Sequence, residues 1–267
     1  MFTFFMLTCY CNSDNIRSTY EGLIMKKNKR IILLILFMVF MIGLVYGSYH
    51  LLNYKKESEE IIEIKETIDK LIEVDETIEE NKYSIDFDSL KEKNPDTVGY
   101  LKVNNTNIDY VVVKAKNNSY YLNHNFDKNY SSSGWVFADY KNNLDGNDKN
   151  MVIYGHNMQN GSMFGTLRRV LSKKWYTNDE NKYITFVTAD REYTYEVFSV
   201  YTIKVEDYYI NTKFKNDNDF YKFIKKLKSR SIYNFGVEVS GEDQIITLST
   251  CSSGSSYRTV LHAKLVK

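Results

Sequence analysis

Cysteine is scarce in this chain of 267 residues, which has three: Cys9, Cys11 and Cys251. The first two precede a hydrophobic span, so Cys251 stands alone on its far side and cannot close a structural disulfide there. An unpaired thiol in an exported body is either a liability or a tool. The same scarcity argues against zinc, because one cysteine and scattered histidines lack the ligand spacing of such a site. The acidic loop Asp145–Asp148 lacks the ligand series of a calcium hand, and no cofactor is implied. Charge of one sign is not in excess either. Lys+Arg number 35 and Asp+Glu 34, for a net charge of +1, so no global basic field points to nucleic acid. Proline is nearly missing, with Pro95 alone. Beside the abundance of Lys, Asn, Ile and Tyr, that has the look of an AT-rich genome and bears on origin rather than function. No internal repeat is visible.

What is present begins with one long apolar run. Ile31–Leu52 is apolar except for Ser48, His50 and a few small or aromatic residues, which is long enough to span a bilayer. Lys26, Lys27, Lys29 and Arg30 precede it; Lys55 and Lys56 follow, and then Glu57, Glu59 and Glu60. The positive-inside bias sets a cytoplasmic N-terminus and an exported C-terminal body. A cleaved signal peptide is the competing reading, with Gly47-Ser48 as its small residues. The run is long for that, and a retained single-pass anchor in the cell membrane is expected. Met25-Lys26-Lys27 opens an ordinary anchor, so residues 1–24 are read as a mis-assigned upstream start. The expected organisation is 25–54 as basic segment and anchor, 55–94 as a helical stalk, and 95–267 as the main body. A content of 43% hydrophobic and 26% charged residues suits one globular domain with such additions.

Between Lys55 and Asn81, Ile61, Ile64, Ile68, Leu71 and Ile72 recur at three- and four-residue spacing, which predicts an amphipathic helix. Asp75 breaks the stripe, which favours a stalk packed on the body over a dimeric coiled coil. A short helix is expected at Ser89–Lys93, stopped by Asn94-Pro95. After Pro95 the period is two. Strands are predicted at Val98–Val103, Ile108–Lys114, Trp135–Tyr140, Met151–Asn157, Tyr183–Ala189, Glu192–Val205, Gln244–Cys251 and Arg258–Val266. Helices are expected around Met163–Trp175 and at Asp219–Ser229, where Phe220, Phe223, Ile224 and Leu227 form one face. A mostly β fold with added helices follows: an eight-stranded closed or nearly closed barrel rather than a βαβ sheet.

Period-two geometry also groups side chains by face. Cys251 shares a face with Ser249 and Thr247, His156 with Tyr154, and Arg258 with Val260 and His262. A thiol, an imidazole and a guanidinium at strand ends are ingredients of acyl transfer: nucleophile, proton carrier and oxyanion partner. Singly, each has a plainer reading. The cysteine could be a small buried hydrophobe, the histidine structural and the arginine a solvated edge charge. Among the other histidines, His124 reads as structural and His50 lies in the anchor. His262, about 13 Å from Arg258 by strand rise, is a candidate supporting group.

The order His, Cys, Arg and the surrounding words resemble the class B sortases, cysteine transpeptidases of Gram-positive cell walls. Thr247-Leu248-Ser249-Thr250-Cys251 matches the T-L-x-T-C signature of that family, and Arg258 follows after a short loop. Asn94–Tyr100, Asn107–Tyr110, Tyr120–His124, Tyr154–Met158, Gly161–Phe164 and the helix Asp219–Ser229 extend the likeness over Asn94–Lys267. The resemblance implies a sortase-like barrel in which Cys251 is the nucleophile, His156 the general acid/base and Arg258 the substrate and oxyanion clamp. It also implies that Asn118, Leu122, Tyr154, Tyr209, Ile210, Ser249 and Thr250 hold the substrate, although core packing is an equal reading for Leu122 and Ile210. The implied partners are exported proteins with a C-terminal sorting motif of the N-P-x-T or S-P-x-T type, and an amine of peptidoglycan or its lipid-linked precursor. One departure is Ser252, opening the loop Ser252–Ser256, where some class B members carry an acidic residue directly after the cysteine, so carboxylate assistance at that position is not carried over. Two other classes compete. An extracellular cysteine peptidase would hydrolyse without transfer, but papain-like families reverse the Cys–His order and chymotrypsin-like ones carry glycines around the nucleophile. A non-catalytic surface binding module would be indifferent to Cys251→Ala.

Overall fold

Alternating apolar residues after Pro95 close into a barrel. The structure is a computed structural model and describes residues 13–75, 83–251 and 256–266. Residues 1–12 of the expected upstream segment, with Cys9 and Cys11, the end of the predicted stalk helix at 76–81 and the loop residues 252–255 lie outside these. Two compact units are present, Met1–Lys56 and Glu57–Lys267. Helix α1 runs Ser13–Asp69. In the first unit its Ile31–Leu52 stretch is exposed throughout, and it is the one helix among the described residues long and apolar enough to cross a membrane.

In the second unit, the end of α1 behaves as a stalk packed on the body. Ile61 and Ile68 are buried in the main core, Lys65 Nζ donates to the carbonyl of Asp109 at 2.8 Å, and Asn160 Nδ2 donates to Ser58 Oγ at 3.1 Å. The helix stops short of the predicted Asn81. Beyond Asp69, Ile72–Val74 (β1) pairs antiparallel with Tyr83–Ile85 (β2). Leu71 and Ile72 still reach the core, so the apolar stripe is served equally by a strand, and its spacing alone did not mark the helix end. Helix α2 spans Phe87–Lys93. Asp86 caps it, accepting from Ser89 N at 3.0 Å.

Eight strands follow: β3 Thr97–Val103, β4 Asp109–Val113, β5 Phe137–Ala138, β6 Asn150–His156, β7 Tyr183–Val187, β8 Glu192–Lys204, β9 Ile245–Cys251 and β10 Tyr257–Leu265. They form a closed barrel in the order β10-β8-β7-β3-β4-β5-β6-β9. All eight predicted strands are present, but β5 keeps only two of the six residues expected. Most pairs are antiparallel; β4 with β5 and β6 with β9 are parallel.

The predicted helix Met163–Trp175 is instead a 3₁₀ segment, Leu167–Leu171, and a short α3, Lys173–Tyr176. Met163 sits at φ 50°, outside the right-handed helical region, and Ser172 between the two pieces is extended at ψ 143°. Helix α4, Asp217–Arg230, is as expected. Asn216 caps it, accepting from Asp219 N at 2.9 Å. Its Phe220, Ile224 and Leu227 cover Phe198, Tyr201, Tyr209, Ile245 and Val260 on the outer face of the barrel wall.

Candidate active site

Register, rather than sequence proximity, assembles the site. Parallel pairing sets Tyr154 opposite Ser249 and His156 opposite Cys251 at the ends of β6 and β9. Antiparallel pairing sets Val260 of β10 opposite Ser249, and the next step of the same register brings Arg258 level with Cys251. On its other side Arg258 is paired with Ile203 of β8. The backbones of His156, Cys251 and Arg258 thus form a row across three adjacent strands, roughly 5 Å from one to the next. Alternation puts this row on the side of the wall that α4 covers further down. Ile246, Leu248, Leu261 and Ala263 belong to the central core, whereas Ile245 and Val260 pack under α4.

His156 is half-buried, and its orientation is fixed from the Tyr120–Leu122 turn. Its Nε2 lies 2.7 Å from the carbonyl oxygen of Leu122. A carbonyl only accepts, so Nε2 carries the proton and donates it, and any exchange of protons with a reacting group falls to Nδ1. Two glycines make this arrangement possible. A Cβ on Gly155 would lie 2.7 Å from the Phe164 ring, and one on Gly134, at φ 57°, would run into the carbonyls of Tyr121 and Leu122. Asn117 orders the turn by accepting from Ser119 N at 2.9 Å and Tyr120 N at 3.0 Å. Leu122 therefore meets the row through its backbone, while its side chain is partly buried against the core.

The second row, Tyr154 and Ser249, is tied to the remaining candidates. Tyr154 is buried and donates its hydroxyl to Asp139 Oδ2 at 2.8 Å. Asn118 Nδ2 donates to the same oxygen at 2.8 Å, while its Oδ1 accepts from Tyr140 N at 3.0 Å. Asp139 is a buried carboxylate that sequence reasoning passed over. A charged residue inside a predicted strand was its only mark. The Tyr209 hydroxyl lies 3.1 Å from Ser249 Oγ, so the 3₁₀ segment Tyr208–Ile210 is bound directly to the strand that ends in Cys251. Ile210 is partly buried and lines an open groove of about 780 Å³ together with Asn211, Phe214, Phe223 and Lys226.

Two residues are placed away from the row. Thr250 is buried and its hydroxyl accepts from Thr259 N at 2.9 Å; by alternation it belongs to the opposite face and ties β9 to β10 just below Cys251 and Arg258. His262 is fully buried two rows down, bonded to Thr247 and Tyr201. Burial pushes its ring down to about 3, so it is neutral at physiological pH. Among the described residues no group of three or more His, Cys, Asp or Glu side chains could hold a metal ion.

The sortase domain family model matches residues 101–266. The chain belongs to the sortase B family. Sortase B of Listeria monocytogenes is 41% identical over 180 residues, covering 66% of this chain and 72% of that protein. A crystal structure of Bacillus anthracis sortase B in complex with AAEK1 superposes with a TM-score of 0.69 at 33% identity, covering 81% of this chain and 99% of the other. A Staphylococcus aureus sortase B–substrate complex gives 0.64 at 36% identity, covering 68% and 84%. This sortase is a membrane-anchored cysteine transpeptidase acting on exported proteins that bear sorting signals. The apolar helix α1 is a single-pass anchor, with the catalytic domain outside the cell.

Proposed function

We propose that Cys251 is the nucleophile of this sortase, His156 its general acid/base and Arg258 the clamp for the developing oxyanion. The reading is carried by the row of three backbones across β6, β9 and β10. The Cys251 thiolate attacks the carbonyl carbon of the motif threonine, and Arg258 steadies the negative oxygen. His156 gives its Nδ1 proton to the leaving amine as the peptide C–N bond breaks, while Nε2–H stays on the Leu122 carbonyl. A thioester remains. An acceptor amine, losing a proton to Nδ1, then attacks it and releases the thiolate with a new amide bond in place. Water in the amine's role gives slow hydrolysis.

The motif we propose is N-P-x-T or S-P-x-T, cleaved after the threonine, and the acceptor an amine of peptidoglycan or its lipid-linked precursor. Tyr154, Ser249, Tyr209 and Asn118 are proposed to shape the groove for that peptide, with Leu122 and Ile210 beside them, while Thr250 acts from the opposite face by tying β9 to β10. Support comes from the hydrogen bonds that link Tyr154 with Asn118 through Asp139, and Tyr209 with Ser249. We assign 25–54 to the anchor, 55–94 to the stalk segment and 95–267 to the catalytic barrel. The nearby division between Lys56 and Glu57 supports the first boundary.

The test uses the full chain in detergent with a fluorogenic N-P-x-T or S-P-x-T peptide and an amine acceptor. A transfer product is expected, together with an enzyme adduct of the acyl mass, and both vanish in Cys251→Ala. Hydrolysis with no transfer at saturating amine would assign the chain to peptidases, and turnover surviving in Cys251→Ala would remove the nucleophile.

A further inference from the structure

A buried hydrogen-bond chain outside the proposed catalytic row begins at Asn150, the first residue of β6. Asn150 Nδ2 lies 2.9 Å from the carbonyl of Asn211 and 3.4 Å from that of Tyr209. Carbonyls only accept, so the amide nitrogen must face them, and Oδ1 then faces Thr247 Oγ1 at 2.7 Å. Thr247 therefore gives its single proton to Asn150. His262 Nδ1, 2.8 Å from the same hydroxyl, must be the donor there, which leaves Nε2 unprotonated. Nε2 accepts from the Tyr201 hydroxyl at 2.9 Å. With that proton committed, the 3.3 Å contact between Tyr201 and Tyr208 is donated by Tyr208. One orientation satisfies every member.

Both ends of this chain reach the same short segment. Tyr208 is one end; the carbonyls of Tyr209 and Asn211 are the other. The segment's own backbone bonds are long, Ile210 N to Asp207 O at 3.3 Å and Asn211 N to Tyr208 O at 3.4 Å, so side-chain bonds from the barrel wall carry much of its placement. Above the network, Tyr209 touches Ser249, two residues from Cys251.

We propose that His262 is a positioning residue for substrate recognition, acting through Thr247 and Asn150 to hold Tyr208–Asn211 against the end of β9. The proposal rests on the reading of Tyr209 and Ile210 as groove residues for the sorting peptide. His262 touches neither peptide nor Cys251; it sets the wall against which the peptide lies.

The test compares the full-length parent in detergent with His262→Phe, His262→Gln and Thr247→Val. Backbone amide exchange is read at Ile210 and Asn211, alongside kcat and KM for the fluorogenic peptide. His262→Phe and Thr247→Val are expected to speed exchange at those two amides and to raise KM about tenfold, the worth of roughly one buried hydrogen bond. The kcat should stay within about twofold. Combining His262→Phe with Thr247→Val should cost no more than the larger single change, because both cut the same chain. His262→Gln, which keeps a donor and an acceptor, should recover part of the loss. Unchanged exchange in a folded variant would overturn the proposal. So would faster exchange with KM unmoved, or a drop in kcat alone. Should His262→Phe fail to fold, Thr247→Val and His262→Gln decide the same question. Loss of all turnover in the parent would instead count against the proposed function, and the exchange measurement would still decide whether the chain positions the segment.

Discussion

The two faces of β9 and β10 differ in what they ask of their residues. Facing the barrel interior, Ile246, Leu248, Leu261 and Ala263 are apolar and fully buried. Facing the other way, Thr247, Ser249 and His262 are just as buried, yet each has a hydrogen-bond partner. The inner face stabilises by volume and area removed from water, which many apolar side chains can supply. The outer face depends on direction, because a polar group buried without its partner is costly. One pair of strands thus carries both kinds of chemistry.

Leu248→Ala attacks the inner face and should have the largest effect on stability. A fully buried leucine cut to alanine should lower the unfolding free energy by about 2–5 kcal/mol, read by denaturant titration, while kcat per folded molecule changes little. Arg258→Ala attacks the end of the outer face. The expected result is a kcat lower by about a hundredfold or more, as for loss of one oxyanion donor, with a melting temperature close to the parent's. Equal losses of stability in the two variants would erase the contrast between the faces.

The acid limb of stability sharpens the comparison on a smaller scale. Burial lowers His262 from the ordinary 6.5 to about 3. Between those values the unfolded chain holds a proton that the folded chain does not. The stability linked to this ring is therefore level above pH 6.5 and falls as pH drops toward 3, by at most about 1.4 kcal/mol per pH unit. His262→Gln should flatten that part of the curve of Tm against pH. An identical acid limb in parent and variant would show that the ring is not held neutral.

Alternation made most of the barrel legible, and for the central row it did more. The grouping of Cys251 with Ser249 and Thr247, of His156 with Tyr154, and of Arg258 with His262 follows from period two alone, and the register joins the three groups side by side. What stayed hidden depends on partners distant in the chain. Asp139 gains meaning only once Asn118 and Tyr154 meet at its carboxylate. Asn150 lies just outside the predicted strand Met151–Asn157, and nothing marks it until the carbonyls of Tyr209 and Asn211 are seen above it. His262 shares the predicted face with Arg258, but the sequence does not show that Tyr201 and Thr247 enclose it. The end of α1 was missed for a local reason, since Leu71 and Ile72 suit either a helix stripe or a strand.

The parallel seam between β6 and β9 has a consequence for when chemistry can begin. Strands that run the same way cannot be joined by a tight hairpin, and here a long stretch of chain, including β7, β8 and α4, separates the imidazole from the sulfur-bearing strand. While the polypeptide is still threading out across the bilayer, the two residues are strangers. Only when the last strands dock do they become neighbours, so under the proposed assignment the enzyme is armed by completing its own architecture on the far side of the membrane.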